Sequence, residues 1–176
     1  MHRPFRIQIT WLFCAALIAV AAPPSWAVVV YLPEVEATSG ESIDIPIMID
    51  RVDNLAGVKL VIEYDHHLLS FQKGARTSHT DSLMHVINDK NPGRLIVVMA
   101  GAKGIKGKAF PLLTLTFHIK RDLKNKVSTQ PAITEVQLMT DQLKEIKCDL
   151  KTNPVRISPN LKKAISNQEA PPGKQP

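Results

Sequence analysis

The sequence predicts an all-β domain, an antiparallel β-sandwich with jelly-roll topology and about nine strands. Three observations lead there. Apolar and polar residues alternate at period two through Ser42–Asp50, Val58–Tyr64 and Leu112–Lys120, the pattern of strands with one buried side. Turn-forming clusters punctuate the chain at short intervals, as in NDKNPG at Asn88–Gly93. Aromatic residues are only 5% of the chain, and a Val, Ile, Leu and Thr bias suits pleated sheets.

Val28–Leu32 is a β-branched run and makes the first strand. Pro33–Gly40 connects it to Ser42–Asp50, with Ser39-Gly40 as a turn. In Ser42–Asp50, Ile43, Ile45, Ile47 and Ile49 share one face, and Ser42, Asp44, Pro46, Met48 and Asp50 share the other. Pro46 lacks an N–H, so this strand should lie at an edge or a bulge. Asp53-Asn54 and Gly57 interrupt the run. In the third strand Val58, Leu60, Ile62 and Tyr64 then point inward, with Lys59, Val61 and Glu63 outward.

The fourth strand covers about Leu68–Lys73, and GARTSHTDS at Gly74–Ser82 reads as a loop. Leu83–Asp89 is a strand ending in the NDKNPG turn. Leu95–Ala100 is apolar on both faces, which suits a strand covered on both sides or one whose outer face meets a partner. Gly101, Gly104 and Gly107 mark an extended Gly/Lys loop. In Leu112–Lys120, Leu113, Leu115, Phe117 and Ile119 turn inward, and Thr114, Thr116, His118 and Lys120 outward. Arg121–Lys126 is a charged connection, and Ala132–Thr140 and Pro154–Ser158 supply the last strands. Asp141–Leu150 fits a hairpin arm or a short helix.

The N-terminus reads as an export signal over residues 1–27. Arg3 and Arg6 precede the apolar stretch Ile7–Ala22, and Ser25-Trp26-Ala27 places small residues at a cleavage site. The stretch is short for a span of ~20 residues, and Pro23-Pro24 closes it. Removing Arg3 and Arg6 from a chain of net charge +6 leaves 20 basic against 16 acidic residues, dispersed along the sequence. A nucleic-acid protein would concentrate them on one face. One domain over residues 28–158 follows, then a polar, Pro-containing tail over 159–176 expected to be disordered. The mature chain keeps a single cysteine, Cys148, so the fold must rest on its core.

No residue pattern points to catalysis or to a cofactor. His66 and His67 are adjacent and should diverge in extended backbone, and His79, His85 and His118 belong to separate elements. Asp50, Asp53 and Asp141 could approach a loop cation, but no D-x-D-x-D-G run is present. G-x-S-x-G is absent, and Gly101–Gly107 lacks the order of a phosphate-binding loop. The expectation is a non-enzymatic protein without cofactor or metal.

The ordered pieces resemble the cohesin domain. Asn54-Leu55-Ala56-Gly57 follows a Pro-containing alternating strand, and the next strand ends in Tyr64-Asp65. Asn91-Pro92-Gly93-Arg94-Leu95-Ile96-Val97-Val98, Gly104-Ile105-Lys106-Gly107 and Leu113–Phe117 come next, then Val136-Gln137-Leu138 and Val155-Arg156-Ile157. The resemblance covers roughly residues 28–158. It implies a β-sandwich that receives a dockerin-type protein partner on the face of the strands equivalent to Val58–Tyr64, Leu83–Asp89, Leu95–Ala100 and Ala132–Thr140. Lys59, Val61, Glu63, Ile87, Val98 and Gly101 are the partner-binding positions this implies. The chain departs from the type I pattern at Lys59 and Gly101, where acidic residues are common, so an acidic or more apolar partner is expected.

Two other functions fit a secreted or periplasmic sandwich. A carbohydrate-binding module would want a planar row of exposed aromatics, and no Trp remains once residues 1–27 are removed. A structural subunit of a secretion or pilus complex in the cell envelope would use the fold for assembly.

Overall fold

The computed structural model describes residues 27–120, 123 and 125–160. The expected export signal and polar tail lie outside the described residues, apart from Ala27, Pro159 and Asn160, as does part of the charged connection after Lys120. The described residues form eleven strands: β1 (Val28–Tyr31), β2 (Val35–Thr38), β3 (Ser42–Glu63), β4 (Leu69–Arg76), β5 (Met84–Asn88), β6 (Arg94–Ile119), β7 (Val127–Thr129), β8 (Ala132–Met139), β9 (Glu145–Ile146), β10 (Cys148–Lys151) and β11 (Val155–Ser158). Among them no helix is long and apolar enough to cross a membrane.

The backbone of the fold is the antiparallel ribbon of β3 and β6, 22 and 26 residues long. Sequence reading splits each into two strands, at Asp53–Gly57 and at Gly101–Gly107, but the chain runs through both segments as strand. The reason is that the two interruptions face each other: Arg51 pairs with Lys108, Val52 with Gly107 and Leu55 with Ile105. Irregular segments that meet across a ladder are absorbed as register shifts, here at Val52/Leu55 and Leu55/Gly57, without a reversal of the chain. Val52, Leu55 and Ala56 are buried, so burial of apolar side chains also holds the segment in place.

These shifts divide the ribbon into two arms. In the first, β10, β1, β3, β6 and β4 lie side by side. In the second, β3 from Gly57 to Glu63 pairs with β6 from Arg94 to Ala100, flanked by β8 and β5. A separate three-stranded sheet has the order β2–β11–β7. Most pairings are antiparallel, but β1 runs parallel to β10 and β2 parallel to β11.

The arms pack face to face as a sandwich around one core. Ile45, Ile47, Leu113, Leu115 and Phe117 of the first arm belong to the same buried cluster as Val58, Leu60, Ile62, Leu95 and Val97 of the second. Gly74 on β4 abuts Ile87 on β5, with Leu113 and Leu115 beside it, which is a direct contact between the layers. Pro46 sits where β3 has β6 on one side and β1 has not yet begun, next to a register shift at Ile47/Met48, as a residue without an N–H requires.

The strand count exceeds the expected nine because β2, β7, β9 and β10 are two to four residues long and carry no readable alternation. β4 also continues through Gly74 to Arg76, into the stretch read as loop. Asp141–Leu150 is the hairpin arm: β9 pairs back on β8, and β10 goes on to pair with β1.

Candidate functional site

The outer face of the second arm is a four-stranded surface in the order β5–β6–β3–β8. Residues directly opposite in a ladder share a face, so the register gives its rows. Val86, Val98, Lys59 and Gln137 form the central row. Met84, Ala100, Gly57 and Met139 lie on one side of it, and Asn88, Ile96, Val61 and Glu135 on the other. Glu63 and Arg94, opposite each other, stand at the far end.

The β5–β6 half of this face is aliphatic and open to solvent. Met84 is 77% exposed, Val86 67% and Val98 44%. The β3–β8 half is polar and carries the ion pair of Lys59 and Glu135. Lys59 Nζ donates to Glu135 Oε1 at 2.6 Å, both side chains about half exposed, and Arg94 faces Glu63 in register. Val61 belongs to the same face but is only 2% exposed, because Lys59, Glu63, Ile96 and Glu135 surround it.

Lys59, Val61, Glu63 and Val98 therefore share one surface, while Ile87 and Gly101 do not. Ile87 packs against the core and against Gly74. β5 carries apolar residues on both parities, so alternation alone cannot orient it; the buried Leu83 just before it sets His85 and Ile87 inward. Gly101 follows Ala100 on the core side of β6, where a Cβ would meet Leu83 Cδ2 at 2.5 Å and Ser82 O at 3.3 Å. An acid at this position would point at Leu83 and away from the face. Sequence reading missed Met84, Val86, Ala100 and Gln137; the parity fixed by Leu83 is the signal for Met84 and Val86, and the parity of Val98 is the signal for Ala100.

Beyond Met139 the β8–β9 turn presents Leu143, 81% exposed with φ 60°. The turn is well tied. Thr140 N donates to Lys144 O at 2.8 Å, Leu143 N donates to Thr140 O at 3.1 Å, and Thr140 Oγ1 accepts from Gln142 N and Lys144 N.

Other candidate chemistry is occupied by structure. Asp50 Oδ1 accepts from the backbone N of Val29 and of Arg51, each at 2.7 Å, and Asp141 Oδ1 accepts from Asn54 Nδ2 at 2.7 Å. His66 and His67 do not diverge; their rings lie 4.0 Å apart because Asp65–Leu68 is a turn and not extended backbone. His79 stacks on Phe110. Among the described residues no three His, Cys, Asp or Glu side chains are gathered as a metal site. Phe71 and Tyr64 pack edge-on against the buried Phe117, so these rings are committed to the core and its margin. Cys148 is half-buried on β10; burial raises its thiol pKa above the ordinary 9.0, and the carboxylates of Asp149 and Glu145 add to the effect.

The Cohesin domain profile matches residues 28–156. Among solved structures, the non-cellulosomal cohesin of the hyperthermophilic archaeon Archaeoglobus fulgidus superposes with a TM-score of 0.67 at 17% identity, covering 81% of this chain and 99% of that one. A chain of the Coh-OlpC–Doc435 complex, a type I cohesin–dockerin complex from Clostridium thermocellum, gives 0.68 at 21% identity, covering 76% and 95%. The cohesin module of a family 33 glycoside hydrolase from Clostridium perfringens gives 0.62 at 14% identity, covering 76% and 97%. No curated protein sequence matches the chain. At these identities the likeness to solved structures is one of fold, and the profile match carries the assignment. The chain belongs to the cohesin domain family, and is a non-catalytic, protein-binding β-sandwich module.

Proposed function

We propose that this protein is an exported cohesin module, wound as a jelly roll, that receives a dockerin-type protein partner on the outer face of β5, β6, β3 and β8. The observation that carries the reading is the exposed aliphatic strip of Met84, Val86 and Val98 on a face where Lys59 pairs with Glu135 and Glu63 stands opposite Arg94. A surface of that kind loses little in desolvation when covered, and it gains from apolar contact. It offers no excess of acid to a basic partner, which supports a partner that is itself largely apolar at the contact. Residues 1–27 serve as the export signal in this reading, residues 28–158 as the module and residues 159–176 as a tether.

Calorimetric titration of the purified protein with dockerin modules encoded by the same organism tests the proposal. Binding that weakens more than about 100-fold in Val86→Asp/Val98→Asp, with an unchanged unfolding midpoint, is the expected result. Binding that survives the double substitution places the site elsewhere. No binding to any dockerin module overturns the partner class and leaves polysaccharide or an envelope complex to be tried.

A further inference from the structure

We propose that β5 is a self-pairing edge, through which two copies of this protein join by antiparallel β5–β5 contact centred on Val86. Any sheet edge presents backbone N–H and C=O groups to a second strand, and proteins that stay apart guard their edges with charge, proline or very short strands.

The other edges here are guarded. β4 carries Lys73 and Arg76, β10 carries Asp149 and Lys151, β2 carries Glu36, and β8, which β9 covers only at Leu138 and Met139, carries Glu135 while β9 carries Glu145. β7 has no charge but is only three residues long. β5 is five residues, Met84-His85-Val86-Ile87-Asn88, without Asp, Glu, Lys, Arg or Pro, and among the described residues it pairs with β6 alone. Its outward side chains Met84 and Val86 are the two most exposed large apolar residues on any of the eleven strands.

The occupant is a second copy because the strand is complementary to itself. A two-fold axis at Val86 sets Val86 against Val86, His85 against Ile87, and Met84 against Asn88. The ladder ends with these five positions, because residues 81–83 form a turn closed by Leu83 N donating to Thr80 O and held by Arg76 Nη1 donating to the carbonyls of Asp81 and Leu83. The outer faces of the two copies become one continuous sheet surface, with the Met84, Val86 and Val98 strips side by side. The inference does not depend on which partner binds that surface.

A five-residue pairing buries less than the ~1,200–2,000 Å² of a stable complex, so the dimer is weak and concentration-dependent. Sedimentation equilibrium from about 10 µM to about 1 mM covers that regime. The full chain is expected to shift from monomer to dimer across the range. Val86→Lys sets like charges against each other on the axis at an exposed position, and is expected to weaken the dimer at least 10-fold with an unchanged melting temperature. In a Cys148→Ser background, Val86→Cys is expected to form a disulfide-linked dimer under mild oxidation, because directly opposite Cα atoms of an antiparallel pair are about 4.5–5.5 Å apart, within the roughly 4.4–6.8 Å a disulfide spans. Met84→Cys, opposite Asn88, is the control and stays uncrosslinked. A monomer throughout the range overturns the proposal, and so does a dimer of unchanged strength in Val86→Lys.

Discussion

Gly104 on β6 has no side chain because Asn54 on β3 occupies the space: a Cβ there would collide with the amide of Asn54 and lie 3.0 Å from its Cα. Asn54 Nδ2 also donates to Asp141 Oδ1 at 2.7 Å, so β3, β6 and the β8–β9 turn meet at this point. Since the backbone of β3 is part of the obstruction, rotation of the amide alone cannot relieve it. Gly104→Ala should lower stability by about 1–3 kcal/mol in urea unfolding. Adding Asn54→Gly should restore part of the loss, and strict additivity of the two changes would show that they do not share this contact.

Lys59 and Glu135 bridge β3 and β8 at 2.6 Å, but both side chains are about half exposed. Water and salt screen such a pair, and exposed ion pairs contribute on the order of 0–1 kcal/mol. Lys59→Met should therefore change the unfolding free energy by less than about 1 kcal/mol, and added salt should erase most of the difference. A double-mutant cycle with Glu135→Gln measures the coupling. The larger consequence falls on partner affinity, because removing Lys59 leaves Glu135 as an unmatched acid on the face.

Leu143 holds a left-handed backbone, φ 60°, while its side chain is 81% exposed. For a residue with a Cβ that conformation costs roughly 1–2 kcal/mol, and no buried contact offsets it. Leu143→Asn and Leu143→Gly should raise the melting temperature, by about 1 kcal/mol in stability for Asn. If both variants melt lower than wild type, the leucine side chain has a packing role that its exposure does not suggest.

Much of this fold is legible in the sequence because its core strands are one-sided. Ile45, Ile47 and Ile49, then Leu113, Leu115, Phe117 and Ile119, are buried on the alternation that predicts them. The long strands were not legible, because the glycines of Gly101–Gly107 and the Asp53-Asn54 pair carry ordinary turn signals. Only the register shows that the two interruptions oppose each other and cancel. The proposed partner face is half legible: Lys59, Val61 and Glu63 follow from a strand with one unambiguous apolar parity, whereas β5 is apolar on both.

Cys148 offers a pH prediction. Burial, then the charges of Asp149 and Glu145, disfavour the thiolate and raise the thiol above 9.0. A thiol with a raised pKa binds its proton more tightly in the folded chain than in the unfolded one. The stability this contributes is fully present below 9.0 and lost as pH rises from 9.0 through the folded value. Relative to Cys148→Ser, the wild-type protein should lose unfolding free energy only above that point. Alkylation by iodoacetamide should be slower in the folded chain than in urea at pH 8–9.

Ile87 and Val86 are adjacent, and they separate the two readings of β5. The structure turns Ile87 into the core, against Gly74 and beside Leu113 and Leu115, and leaves Val86 67% exposed. Truncating an inward isoleucine removes apolar burial and leaves a void between the two layers, so Ile87→Ala should cost about 2–4 kcal/mol. Val86→Ala removes two methyl groups that already face water, and should change stability by less than about 0.5 kcal/mol. Partner affinity should move the other way: Val86→Ala weakens it, while the folded fraction of Ile87→Ala binds as wild type does. Denaturant titrations of the two variants, with binding measured at a denaturant-free temperature where both are folded, check the pair. If Val86→Ala proves the more destabilising, β5 has the opposite parity, and the aliphatic strip on which the proposed partner face rests is lost with it.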